Sequence, residues 1–168
     1  MTSIEAVIAD ITKLQVDAIV NAANQALAAG GGVCGAIFRA AGDGLAAACA
    51  RVAPCPTGEA RITPGFSLPA KYVIHAVGPI WHGGGEGEAD RLAQTYLSLL
   101  RLADEHGCHS IAIPAISTGI YGYPLESATK IAVQVVREHV AGKTGLQRVI
   151  FACFSETVLS AYREQGVA

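Results

Sequence analysis

Short β-branched runs, separated by stretches of helical spacing, constrain what this chain can fold into more than any other feature. Ile4–Ala9, Ala18–Val20, Tyr72–Val77, Ser110–Ile113 and Arg148–Cys153 read as strands, with Ala60–Thr63 a further candidate. Several of these runs are apolar on nearly every residue, as in a sheet covered on both faces. Between them, Leu92, Tyr96, Leu99 and Ala103 follow helical spacing, and Gly107 is placed to stop that helix in a left-handed conformation. Ala128, Ile131, Ala132 and Val135 repeat the pattern after Pro124, and Val33, Ala36, Ile37 and Ala40 make a shorter stripe. Strands alternating with helices predict a three-layer α/β/α domain around a largely parallel sheet. Ligands of such sheets bind beyond the carboxyl ends of the strands.

At 168 residues the chain suits one domain, residues 1–168, burying roughly 70% of its unfolded surface. Apolar residues are 51% and charged residues 15% of the total, which argues against disorder. The Gly-rich stretch Gly83–Gly87 reads as a surface loop, and Glu86, Glu88 and Asp90 as a solvated loop and helix start. A net charge of -2 supplies no general field for a polyanion, so an anionic ligand must be held by local donors. The cysteines Cys34, Cys49, Cys55, Cys108 and Cys153 are odd in number and form no CxxC pair, which points to a reducing, cytoplasmic setting. The N-terminal MTSIEAVIAD has no apolar run of signal-peptide or membrane-span kind.

Two strand–loop–helix units carry the chemistry. In the first, Val16–Asn24 is a buried strand that ends in amides and is followed by Gly30-Gly31-Gly32-Val33-Cys34 leading into a helix. Glycine permits φ > 0 and close approach, and the free N–H groups and dipole of a helix start favour an anion. For a lone GGG a plain flexible turn is the better explanation by about two to one, because short glycine motifs recur by chance. No GxxxxGK[ST] is present, and GxGxxG is absent at the first strand–helix turn, which sets aside Walker-type nucleotidases and Rossmann dehydrogenases. In the second unit, Ser110–Ile116 leads into Ser117-Thr118-Gly119-Ile120-Tyr121-Gly122-Tyr123-Pro124 and a helix. Ser117, Thr118 and the amides around Gly119 can supply donors to a diphosphate. The alternative is a hydrogen-bonded turn with Tyr121 as packing.

VDAIVNAAN, GGGV, AKYVIHAVGPIW and IPAISTGIYGYP, in this order, resemble the macro domain, most of all its MacroD-type branch. The resemblance runs from Ile8–Thr12 to Phe151–Phe154. It implies a mixed, mostly parallel sheet between helices and an ADP-ribose cleft that needs neither cofactor nor metal. It also implies hydrolysis of O-acetyl-ADP-ribose or removal of ADP-ribose from acidic side chains. In that arrangement Asp10 accepts from the adenine amino group with Ile11 beside the ring, and Phe154 stacks near the adenine. Gly31, Gly32 and Val33, with Ser117, Thr118, Gly119, Ile120 and Tyr121, cradle the diphosphate. Asn24 binds the distal ribose, which Tyr121 helps to enclose. Read without the resemblance, the same residues have simpler roles. Asp10 can cap the turn at Thr12, Phe154 can be core, and Asn21 and Asn24 can bind their own backbone.

The chain departs from the branch where an aspartate usually follows GGGV and a histidine lies four residues later. Cys34 and Phe38 stand there. A free thiol is mostly protonated near neutral pH, and no activating base for a nucleophilic Cys34 is evident in the sequence. Macro domains outside this branch that lack the acid are thought to use a water positioned by a ligand phosphate, and the resemblance leaves that route open here. Elsewhere, His106, Cys108 and His109 are too close in sequence to converge readily on one metal, and His75 reads as a satisfied core histidine. The expectation is therefore a monomeric, cytoplasmic ADP-ribosyl hydrolase whose ligand is ADP-ribose or an ADP-ribosylated protein. The alternative is a binding module with little turnover. Neither membrane nor, given the acidic balance, nucleic acid is an expected partner.

Overall fold

The computed structural model describes all 168 residues. Six strands are observed: β1 (Ser3–Ile8), β2 (Ala18–Ala22), β3 (Ala60–Pro64), β4 (Tyr72–Ala76), β5 (Ser110–Ile113) and β6 (Arg148–Cys153). They form one sheet in the order β1-β6-β5-β2-β4-β3. All neighbouring pairs are parallel except the edge pair β3–β4, which is antiparallel. The sheet is thus mixed and mostly parallel, as expected.

Side chains of single strands divide between two cores with period two, and this is why the runs lack a polar face. In β6, Val149, Phe151 and Cys153 join one core, while Ile150 and Ala152 join the other. Helices α3 (Glu88–Glu105), α4 (Leu125–Ala141) and α5 (Glu156–Glu164) cover the first face. Helices α1 (Gly32–Ala41) and α2 (Gly44–Val52) cover the second. On α3, Leu92, Tyr96, Leu99 and Ala103 point inward as their spacing predicts, and Gly107 takes φ 69° just past its end. Pro124 occupies the cap position of α4 rather than its first turn.

Two helices lie outside the sequence expectations. Helix α2 is Ala-rich, with Leu45 and Cys49 as its main inward side chains. Helix α5 begins at Ser155, whose side chain accepts from the Val158 N–H. It docks through Tyr162, stacked on Phe151 at 4.4 Å between ring centroids. Such a pair adds about 0.5–1.5 kcal/mol beyond area burial. A correction concerns Glu88. Read as part of a solvated helix start, it is 2% exposed, because backbone N–H groups of the preceding loop close around it.

Strand order decides where a ligand can sit. After β2 the chain turns to the β4–β3 edge, then returns through α3 to β5 on the other side of β2. The reversal leaves a crevice beyond the carboxyl ends of β2 and β5, and both glycine-containing loops leave from there.

Candidate functional site

A cleft of about 1050 Å³ opens at that crevice. Its walls come from the ends of β1, β2, β5 and β6 and from the two loops, and include Asp10, Ile11, Asn24, Gly31–Cys34, Ser117–Tyr121 and Phe154. Every residue singled out from the sequence as a binding or catalytic candidate therefore meets in one cavity. Phe38, one turn beyond Cys34 along α1, packs against the second core and does not line the cleft.

The first loop is built almost wholly from backbone. The N–H groups of Gly31, the cap residue, and of Gly32, Val33 and Cys34 in the first turn of α1 have no partner within the protein. Gly32 has φ 56°, a left-handed conformation that disfavours a side chain. Gly35 lies on the opposite side, where a Cβ would fall 2.4 Å from the Gly30 carbonyl oxygen, so the loop rests directly on the helix. The Asn24 side chain holds the loop's start, donating to Ala28 O at 3.0 Å and accepting from Ala28 N at 3.1 Å. The simpler reading of Asn24 from the sequence is thus satisfied while the residue still lines the cleft.

Beneath this loop runs a buried polar chain. Cys34, 6% exposed, donates through its S–H to Ala28 O at 3.7 Å, and Asn21 Nδ2 lies 3.7 Å from its Sγ. Asn21 Nδ2 also donates to His75 Nδ1 at 3.1 Å. His75 Nε2, on the other side of the ring, lies 2.9 Å from Thr63 Oγ1 and 3.6 Å from Cys49 Sγ. Burial pulls the His75 pKa down to about 4, and burial, with a smaller effect of Cys34, pushes the Cys49 thiol up to about 11. His75 is thus the neutral, satisfied core histidine expected of it, one residue removed from the cleft.

The second loop is held by contacts. Ser117 adopts φ 70°, is 6% exposed, and its Oγ is buried without a partner. Gly78 explains how it fits: a Cβ there would lie 2.2 Å from Ser117 Oγ and 2.6 Å from Ile116 Cγ2. Gly78 lines the cleft and is absent from the sequence-based set, although it sits within the VGPIW stretch. The Thr118 hydroxyl, expected as a ligand donor, instead donates to Ala115 O at 2.7 Å. The N–H groups of Ser117, Gly119, Ile120 and Tyr121 have no partner within the protein.

The far end of the cleft carries its one carboxylate. Asp10 Oδ1 accepts from Thr12 N at 3.0 Å and from Thr12 Oγ1 at 2.7 Å, while Oδ2 makes no hydrogen bond. The Thr12 side chain, then its backbone N–H, hold the Asp10 pKa below the ordinary carboxylate value. The cap role read from the sequence is real and leaves one oxygen for another donor. Phe154, a possible core residue in the sequence, is 82% exposed at the rim with Ile8 beside it. No lysine or arginine lines the cavity. His106, Cys108 and His109 do not come together: His106 Nδ1 meets Leu102 O, His109 Nδ1 meets Gly145 O, and Cys108 is buried in the first core.

The architecture has close counterparts. The family model described as Macro domain matches residues 20–132. A macro domain-containing protein of Chlorobaculum tepidum is 58% identical over 161 residues, covering 96% of this chain and 94% of that protein. A Klebsiella pneumoniae protein named O-acetyl-ADP-ribose deacetylase is 52% identical over 163 residues, covering 95% and 93%. The Oceanobacillus iheyensis macrodomain with ADP superposes with a TM-score of 0.92 at 41% identity, over 96% of this chain and 88% of that one. The Trypanosoma brucei macrodomain in complex with ADP-ribose gives 0.91 at 43% identity, over 97% and 68%. The family model, the related sequences and the solved structures therefore agree, and this chain belongs to the macro domain family.

Proposed function

We propose that the cleft binds ADP-ribose and hydrolyses its esters, either O-acetyl-ADP-ribose or mono-ADP-ribosylated acidic side chains. One observation carries this reading. Two loops on neighbouring strands, each with N–H groups unpaired within the protein, line a single cavity whose only carboxylate, Asp10, follows the edge strand β1. A diphosphate fits between the loops, where amides and the α1 dipole replace the missing cations. Asp10 Oδ2, free of partners within the protein, would accept from the adenine amino group, with Ile11 and Phe154 offering apolar surface to the base. Asn24 and Tyr121 bound the distal-ribose end. The named O-acetyl-ADP-ribose deacetylases among the relatives support ester hydrolysis.

Catalysis must work without a carboxylate at position 34. In the proposed mechanism a ligand phosphate oxygen holds the attacking water and takes its proton as the water oxygen bonds to the ester carbonyl carbon. The tetrahedral intermediate then breaks its bond to the ribose oxygen, which leaves with that proton as a hydroxyl, giving ADP-ribose and the free carboxylic acid. Cys34, whose S–H is turned to Ala28 O, leaves that water unassisted. The same observation favours a second reading, an ADP-ribose-binding module with little turnover. Calorimetry with ADP-ribose, run beside turnover of O-acetyl-ADP-ribose by the wild type and Cys34→Asp, separates the two. Binding, slow wild-type turnover and a faster variant are expected. General-base help is worth at most about 10²–10⁴-fold. Tight binding with no turnover by either protein selects the binding module, and no binding rejects the site.

A further inference from the structure

The connection from β4 to α3, Val77–Gly87, lies behind the second loop and touches it twice. At one end Gly78 abuts Ser117 and Ile116. Three residues on, the Trp81 N–H donates to Tyr121 O at 2.8 Å, and the indole tilts onto Tyr123 at 4.6 Å between ring centroids. Tyr123 in turn donates its N–H to Ser117 O at 2.9 Å, and Gly122 donates to Gly119 O at 3.0 Å. The loop's left-handed Ser117 has no glycine to relax into. Such a residue persists only where its surroundings over-determine it.

What holds the connection itself is Glu88. Its Oε2 accepts from His82 N at 2.8 Å and Gly84 N at 2.9 Å, and its Oε1 from Glu86 N at 2.7 Å. The loop so closed brings Gly84 against Trp81, where a Cβ would lie 2.9 Å from the indole Cη2. The N–H from His82, followed by those of Gly84 and Glu86, holds the carboxyl down to about 2 against the opposing effect of burial. The side chain is therefore ionised throughout the ordinary pH range, a carboxylate gripped by a nest of backbone amides.

We infer that Glu88 is a positioning residue for the second phosphate loop: by closing loop 82–87 it seats Trp81 against Tyr121 and Tyr123, and so sets where the amides of residues 117–121 point. It touches no ligand. Its consequence for affinity rests on the reading of the cleft as an ADP-ribose site, whereas its consequence for the loop does not. Glu88→Gln keeps the size, removes the charge and turns one of the two accepting oxygens into a donor, so the three N–H groups can no longer all be paired.

Two measurements on the whole chain test this. Amide hydrogen exchange at Trp81, Gly122 and Tyr123 should quicken by roughly tenfold or more in Glu88→Gln, while Ala23, bonded to Ala76 O behind the first loop, stays as in the wild type. ADP-ribose should bind roughly 3- to 30-fold more weakly, with adenosine, which would occupy only the Asp10 end, unchanged. Unchanged exchange at the three amides overturns the inference whatever the ligand. Equal quickening everywhere, or equal loss of adenosine and ADP-ribose, shows a merely global role and also overturns it. Wild-type protein that ignores ADP-ribose while the exchange pattern holds rejects the proposed function alone. If Glu88→Gln does not fold, Gly84→Ala, which pushes on the indole from the same side, must give the same pattern.

Discussion

The two amide-lined loops leave adjacent strands, line one cavity and present similar rows of free N–H groups, yet they are kept in shape in opposite ways. The first is glycine lying on a helix start, with open space where Gly31 and Gly32 would carry a Cβ. Beneath it is a neutral polar chain, Cys34–Asn21–His75–Thr63. The second has a side chain at nearly every position and a strained Ser117, and is wedged from behind by Gly78 and Trp81. An anion seat can thus be made either by removing side chains until the backbone is bare, or by packing them until the backbone has no alternative. The first kind is vulnerable from the cleft side, the second from the rear.

The largest effect should come from entering the first loop at its mouth. Gly32→Glu places a carboxylate into the open space before four free amides and forces a left-handed backbone on a non-glycine residue. ADP-ribose affinity should fall by at least about a hundredfold in a folded protein, as expected for losing a charge-assisted seat and gaining a like charge. Retained affinity by calorimetry would mean that the phosphates rest on the second loop alone.

Acid should distinguish the supports. His75 has a native pKa of about 4 against an ordinary 6.5. The unfolded chain therefore takes up that proton first. Stability from this site is complete above pH 6.5 and is lost as pH falls toward 4, by about 3 kcal/mol in all. The Glu88 carboxylate, depressed from 4.5 to about 2, keeps its contribution until pH drops through that lower window. Urea unfolding at pH 7 and pH 4.5 should show a smaller loss for His75→Gln than for the wild type. The same loss in both would place the titrating group elsewhere.

The smallest effect should come from the rear of the second loop. Gly78→Ala sets a methyl 2.2 Å from Ser117 Oγ, and overpacking of this kind costs about 1–3 kcal/mol. Thermal unfolding should register that cost, and ADP-ribose should weaken severalfold. A Ser117→Gly change in the same background should recover both, since it removes the obstructing hydroxyl and relaxes the left-handed backbone. Failure to recover would show that the strain sits at Ile116.

Much of this was legible in the residues themselves. All six strands carry their own pattern, because β-branched apolar runs report burial on both faces directly. Helix α2 escapes because alanine and glycine make a face without a strong period, and α5 because its Ser155 cap follows closely on Phe154. The site residues lie in strand–loop–helix junctions, so their gathering at one end follows once the strands are parallel. What local pattern does not hold is where a side chain spends its hydrogen bonds. Thr118 gives its hydroxyl to Ala115, Phe38 turns to the core, and Glu88, read as a solvated acid, is the most enclosed carboxylate near the site. Each outcome depends on a partner brought in by the tertiary fold.

A cavity proposed to receive a dianion without a single lysine or arginine would also have a particular relation to its solvent. With a net charge of -2, the protein offers an approaching nucleotide diphosphate no attractive field beyond the last few ångströms. Encounter then depends on ordinary diffusion, and few condensed counterions are expelled when the ligand seats. Ionic strength, which governs capture wherever cations do the holding, has little here to screen. Such a pocket would work much the same in dilute buffer as in a crowded, salty cell.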